Sequence, residues 1–351
     1  DGSGRADPEL ERLERALGQF RSTAGAPGLG LPEGALAAAP PRALLDRWRR
    51  PRFLAASVLA VGCALGAVGL FLGTPAKAPL PGWAVAQIEG APVVGSLTVG
   101  EDKGKASLNV GETLVTDSNS RASVEVAEIG ELFIDPGSRV RLLETSKNRK
   151  RIAVEIGTIH AAIWAPPGEF VVDTPSATAV DLGCAYTLKV ASDGSGTLRT
   201  QLGWVGFHQN GHDSFIPAGA MCLTRPVEGP GTPYFEDSSE KFRAALHQLD
   251  FAGPGSQDRS ETLRTVLAQA RTKDAFTLWH LLARVDEVER PLVYERLATL
   301  VPAPAGTTRE GTLSLDRVTL DRWWNSFSLG DIEVWRYWEQ NETPAVKKAA
   351  S

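Results

Sequence analysis

Four side chains in the middle of the chain have the types for metal or nucleophilic chemistry: Cys184, His208, His212 and Cys222. Thiolate and imidazole are ordinary zinc ligands, and the two histidines stand at H-x3-H spacing. Between them, however, lies Asn210-Gly211, the preferred dipeptide of a two-residue hairpin, which puts the histidines on opposite arms of a tight turn near solvent. A Cys184 nucleophile with a histidine base needs a third group to orient the base, and nothing in the sequence supplies one specifically. The stretch "GEDKGKAS", residues 100–107, sets lysines among glycines. A phosphate-cradling loop needs G-x-x-x-x-G-K-[ST]; here the spacing is one short and Ala106 follows Lys105. The adjacent Trp323 and Trp324 read as helical core before they read as a platform for stacking a sugar. The expectation is a protein that is not an enzyme, with no metal and no cofactor.

The elements around these residues fall into distinct zones. The 351 residues allow roughly two or three domains. A formal net charge of -5 gives no global basic field of the kind that draws nucleic acid, so a nucleic-acid partner is not expected. "FLAASVLAVGCALGAVGLFLG", residues 53–73, has no charged side chain and is long enough to cross about 30 Å of hydrocarbon at a rise of about 1.5 Å per residue. It predicts one transmembrane helix. A signal peptide fits less well, because residues 1–52 precede the apolar run and Pro79 would follow the cut after Ala76-Lys77-Ala78. Arg42, Arg47, Arg49, Arg50 and Arg52 lie just before the span and only Lys77 close after it. By the positive-inside rule the N-terminus is then cytoplasmic, and everything from about residue 74 is exported, in a bacterium from the inner membrane into the periplasm.

Within residues 1–52, "DPELERLERALGQF" offers Asp7 as N-cap, Pro8 at the first helical position, and a stripe of Leu10, Leu13, Leu17 and Phe20. One such helix cannot bury its stripe alone, so it self-associates, lies on the membrane or docks to a partner. Residues 22–41 are rich in Gly, Ala and Pro and read as a linker.

From residue 82 to 226 the pattern is one of short β runs, among them "RASVEV", "RIAVEIGTIHAAIW", "EFVVDTP", "TAVDLGCAYTLKV" and "LRTQLGWVGFH", separated by Gly, Pro, Asn or Asp. No helical period interrupts them, which favours a stacked meander, roll or solenoid over a sheet with crossover helices. Gly111 to Thr116, Glu125 to Pro136, Gly157 after an alternating strand, "FVVDTP" at 170–175 and the strand 183–190 together resemble the FecR domain. That family typically has "F-x-V-x-T-P…G-T-x-F-x-V" here; this chain places Cys184 and Tyr186 where Thr and Phe are usual. The resemblance covers about residues 82–225. It implies an exported, twisted, solenoid-like all-β module, which in the founding members senses an outer-membrane receptor and relays its state across one transmembrane helix to a sigma factor. In those members the cytoplasmic part is a compact helical domain, whereas residues 1–52 supply one helix and a linker. They contain neither His nor Cys for a zinc-type anti-sigma domain.

Residues 237–330 change to helical periodicity. One face carries Phe242, Ala245, Leu246 and Leu249, a second Leu263, Val266, Leu267 and Ala270, and a third Leu320, Trp323, Trp324 and Phe327. Asp258 and Glu261 are spaced as a capping pair. "EGPGTP", residues 228–233, reads as the join to the β region, and residues 331–351 as a loose tail.

The sequence thus predicts a multidomain chain: an all-β, solenoid-like or roll FecR-type domain, a C-terminal α-helical domain and one transmembrane helix. Its expected role is that of a membrane-anchored envelope sensor that binds a protein or polymer partner and relays to a cytoplasmic regulator such as a sigma factor. A structural or scaffold module of the envelope is the alternative. Because Cys184 and Cys222 fall in neighbouring β elements on the side expected to be exported, a disulfide between them is expected, against the alternative of two buried free thiols. Cys63, inside the apolar run, has no evident mate.

Overall fold

The computed structural model describes residues 82–100, 106–209, 211–252 and 258–336. Its 18 strands form two sheets that share one strand. The chain crosses between the sheets repeatedly and, from Trp83–Glu89 in one and Val93–Val94 in the other, adds strands to each in sequence order, with Ala106–Leu108 and Leu97–Thr98 on the opposite edges. Sheet I runs Ala106–Leu108, Trp83–Glu89, Arg121–Val126, Gly130–Ile134, the second half of Lys150–Ile163, Ala185–Val190, Gly196–Leu202 and Ala220–Arg225. Sheet II runs Leu97–Thr98, Val93–Val94, Thr113–Val115, Arg139–Thr145, the first half of Lys150–Ile163, Phe170–Thr174, Ala177–Asp181, Trp204–Gln209 and His212–Pro217. Nearly all the pairings are antiparallel; Phe170–Thr174 lies parallel to Lys150–Ile163, so the β-structure is mixed. This growth along one direction is the solenoid-like roll that the strand pattern predicts.

Lys150–Ile163 shows how sequence makes the shared strand. Its even-numbered residues Lys150, Ile152 and Val154 are buried before Gly157, and the odd-numbered Ile159, Ala161 and Ile163 after it. Because side chains alternate with a period of two, a strand can reverse its buried parity only where an irregularity breaks the alternation. The register against Arg139–Thr145 shifts at that point, with Arg139 opposite Ile156 and Val140 opposite Val154. Gly157 sits at φ 107°, in the region that favours glycine, and a Cβ there would run into Ser138. Gly157→Ala should therefore cost on the order of 3 kcal/mol. Urea denaturation of the two proteins measures this, and an unchanged midpoint would contradict it.

Six helices follow: α1 (Glu240–Phe251), α2 (Arg259–Gln269), α3 (Ala275–Leu282), α4 (Arg290–Leu300), α5 (Arg309–Leu313) and α6 (Arg317–Asn325). The sequence-predicted faces are buried as expected for Phe242, Ala245, Leu246 and Leu249, and for Leu263, Val266 and Ala270, with Leu267 partly buried. Ser239, rather than a helix residue, caps α1 by accepting from the Phe242 N–H at 3.1 Å. At α2 the expected Asp258 cap makes no side-chain bond.

The expected architecture needs correction in two respects. Among the described residues no helix is long and apolar enough to cross a membrane. Their longest, α1, has 12 residues and reaches only about 18 Å, against about 30 Å of hydrocarbon. The described structure therefore gives the transmembrane architecture no support; residues 53–73 and the stripe Leu10, Leu13, Leu17 and Phe20 lie outside it. Nor do the helices form a domain apart from the strands, since residues Lys77–Ser351 are one compact unit. Phe276, Trp324, Ile332 and Trp335 belong to the same core as the strands. The presumed join is woven into sheet I: Gly229–Pro230 and Tyr234–Phe235 both pair with Ala220–Arg225. Gly206 has no side chain where the Trp335 ring lies against the sheet, which lets the last described segment dock onto it.

Candidate functional site

Each residue with chemical potential is held by its own element, and the four candidate zinc ligands do not converge. His208 and His212 lie on opposite arms of the hairpin, in register with Asp213 and Gln209 respectively. His208 Nδ1 meets Asp213 Oδ1 at 2.5 Å. Among the described residues no group of three or more His, Cys, Asp or Glu is placed to hold a metal ion. Of residues 100–107 only Gly100, Ala106 and Ser107 are described, and the last two begin a strand against Trp83–Glu89. Trp323 and Trp324 are fully buried, Trp323 against Tyr294 and Trp324 against Phe215 and Trp279, so they are core.

The expected disulfide is not formed: Cys184 and Cys222 are free, buried thiols. Register explains the separation. Cys222 lies opposite Leu198, and Leu198 opposite Leu188, four residues along from Cys184. Two strand spacings and four residues amount to well over 10 Å, beyond the Cα separation of about 7 Å that a bridge tolerates. Each thiol donates instead to a local acceptor, Cys184 to Asp181 Oδ2 at 2.8 Å and Cys222 to the Gly231 carbonyl at 3.2 Å. Burial pushes the Cys222 thiol up to about 12 and Cys184 well above its ordinary value, so both stay protonated.

The FecR-like stretch 170–190 is structural. Phe170, Val171 and Val172 are buried in one strand and Ala179, Val180 and Asp181 in the next. Thr174, at the Thr-Pro step, ties the turn by accepting from the Ala177 N–H at 2.9 Å and donating to the Ala177 carbonyl at 2.8 Å. Asp181 accepts from the Gly183 N–H at 2.7 Å as well as from Cys184, and desolvation raises its carboxyl to about 7. Tyr186, in the place usually held by Phe, is 1% exposed and its hydroxyl has no hydrogen-bond partner.

Exposed chemistry gathers instead on the outer face of sheet I. There the register sets Glu125 opposite Glu131, then Ala162, Ala185 and Leu202 in one row across five strands. The neighbouring row is Ser123, Phe133, His160, Thr187 and Arg199. Trp164, the residue after Lys150–Ile163, is 73% exposed, Leu202 63% and Phe133 41%. The two alanines leave a shallow floor between those three large apolar groups. Large apolar side chains exposed together on one sheet face mark an interaction site more often than scattered single residues do.

A hydrogen-bond chain borders the patch. Gln201 Nε2 donates to Thr187 Oγ1 at 2.8 Å; His160 Nδ1 lies 3.0 Å from Thr187 Oγ1, and His160 Nε2 lies 3.0 Å from Asp135 Oδ2. The order hydroxyl, imidazole, carboxylate is that of an activated nucleophile. Thr187, however, sits in the middle of the sheet, paired on one side with His160 and on the other with Arg199, so the adjacent N–H groups belong to the ladders. The hydrogen-bond chain forms a polar rim to these apolar residues. Sequence reading missed this face because its members lie on strands far apart in sequence. The one local signal was a large apolar residue at an outward position, Phe133 in "ELFID" and Trp164 after "HAAI".

Fold and face together define a β roll, covered at its C-terminal end by helices, with large apolar side chains exposed on the outer face of sheet I. No family model and no curated protein matches the chain. Two crystal structures of a protein named "putative anti-sigma factor" from Parabacteroides distasonis ATCC 8503, at 1.65 and 2.50 Å resolution, are similar to it in part. They share 16% sequence identity with it, cover 39% and 38% of this chain, and give a TM-score of 0.32. The matched part spans 64% of the length of each of those chains.

Proposed function

We propose that the chain is a signalling protein of the cell envelope whose β roll binds a protein partner through the outer face of sheet I and passes the bound state to a regulator such as a sigma factor. The observation that carries this reading is the exposure of Phe133, Trp164 and Leu202 around Ala162 and Ala185 on one face of sheet I. Two of the stretches that resemble the FecR domain, Glu125 to Pro136 and 183–190, form strands of this sheet, which supports a regulatory output over a purely mechanical one. A variant carrying Trp164→Glu and Leu202→Glu places charge in the patch without touching the core. Its purified form should melt at the wild-type temperature, since both positions are exposed. In the encoding organism it should reproduce the transcriptional change of a deletion strain. Unchanged transcription together with a loss of envelope attachment would replace signalling by a scaffold role.

A further inference from the structure

Beside its apolar residues, the outer face of sheet I carries Glu125 and Glu131, and the turn that joins their strands carries Glu128. Glu125 and Glu131 are directly opposite each other on adjacent strands, and both point outward. Glu128 is exposed in the turn that joins those strands. Among the described residues none of the three makes an ion pair within 4 Å, whereas Asp135, two residues beyond Phe133, is paired with Arg121 and His160. Lys147 and Lys150 line the same cleft of about 620 Å³ as Glu125 and Glu128; Lys150 is paired with Glu169, and among the described residues Lys147 forms no ion pair with either glutamate. Like charges directly opposite on neighbouring strands are destabilising, so this arrangement opposes the fold that holds it. A cation brought to the row would remove that repulsion and gain attraction from a low-dielectric apolar border.

We infer that the partner of this face is a basic protein segment, with Lys or Arg side chains that meet Glu125, Glu128 and Glu131 while apolar side chains cover Ala162, Ala185, Trp164 and Leu202. This rests on the proposed docking role of the face and adds the charge of what docks. The same carboxylates repel anionic lipid and nucleic acid, which removes both as occupants.

Two model peptides of equal length and equal leucine content, one bearing lysine and one glutamate, test the inference by fluorescence anisotropy at low and at moderate salt. The lysine peptide should bind the full chain and the glutamate peptide should not. Glu125→Gln with Glu131→Gln should weaken binding of the lysine peptide at least tenfold and flatten its salt dependence. Glu287→Gln with Glu310→Gln, which removes the same charge from the helical part, should leave binding within twofold. Trp164→Ala with Leu202→Ala should weaken it by a similar factor to the Glu125/Glu131 change. Equal losses from the two glutamine pairs would mean a response to net charge alone and overturn the inference. If the alanine pair abolishes binding while Glu125→Gln with Glu131→Gln leaves it unchanged, the docking face stands and its basic partner does not.

Discussion

Asp181→Asn should stabilise the protein by about 4 kcal/mol at pH 8 and leave it nearly unchanged at pH 4. Asp181 is 2% exposed, and desolvation raises its carboxyl from 3.8 to about 7 against the opposing bonds from Cys184 and Gly183. Between about pH 4 and 7 the native state therefore holds a proton that the unfolded chain has released. Raising the pH through that window withdraws stability, and above it the whole penalty of a buried carboxylate is present. About three pKa units at about 1.36 kcal/mol each give the figure. An asparagine keeps the Oδ1 acceptor for the Gly183 N–H, 2.7 Å away in the wild type, and carries no charge at any pH. In thermal melts the gap between variant and wild type should open from near zero at pH 4 to roughly 10 °C at pH 8. A variant less stable than wild type at pH 8 would mean that the charged carboxylate is itself a structural requirement.

The same cluster marks what a sequence can and cannot say. That 170–190 forms strands around a Thr-Pro turn and a glycine follows from local rules, since Val, Thr and Tyr suit a pleated surface and Pro175 and Gly183 interrupt it. The phase reversal at Gly157 is less accessible, because "RIAVEIGTIHAAI" alternates without a visible break until the register against Arg139–Thr145 is known. Cys184 and Cys222 look like mates when both are placed only in neighbouring β elements; it takes the intervening strand Gly196–Leu202 to separate them. The exposed apolar face of sheet I depends on register even more. Phe133, Trp164 and Leu202 come from different strand connections, and which outward positions become neighbours is decided by non-local pairing. Proline and glycine in "EGPGTP" suggested a linker, yet Pro230 has no N–H to lose in a short two-residue strand at the end of the sheet, and the stretch pairs there.

His280→Ala should have the opposite pH signature and a comparable size. His280 lies on α3 and joins it to the edge of sheet II. Its Nδ1–H donates to the Phe276 carbonyl at 2.8 Å and its Nε2 accepts the Phe215 N–H at 3.0 Å, a tautomer possible only for neutral imidazole. Phe215 belongs to the edge strand His212–Pro217, so the ring supplies a partner that no further strand provides. Burial first, with Arg284 and Arg336 adding to it, lowers the imidazole to about 3. Its folded value lies below the value of about 6.5 in the unfolded chain, so its contribution is complete above about pH 6.5 and is lost as pH falls towards 3. At pH 7.5, His280→Ala leaves the buried Phe215 N–H without an acceptor and opens a cavity beside Trp279 and Trp324, for a loss of roughly 3–5 kcal/mol. By pH 5 the wild type has already lost about 2 kcal/mol of that advantage, and the gap between the proteins should narrow accordingly. From pH 4 to 6.5 the contributions of Asp181 and His280 run in opposite directions at about 1.36 kcal/mol per pH unit each and largely cancel. Stability measured by urea denaturation should therefore be nearly level with pH for the wild type, rise with pH for Asp181→Asn and fall with pH for His280→Ala. Parallel profiles for all three proteins would show that neither group changes its protonation on folding.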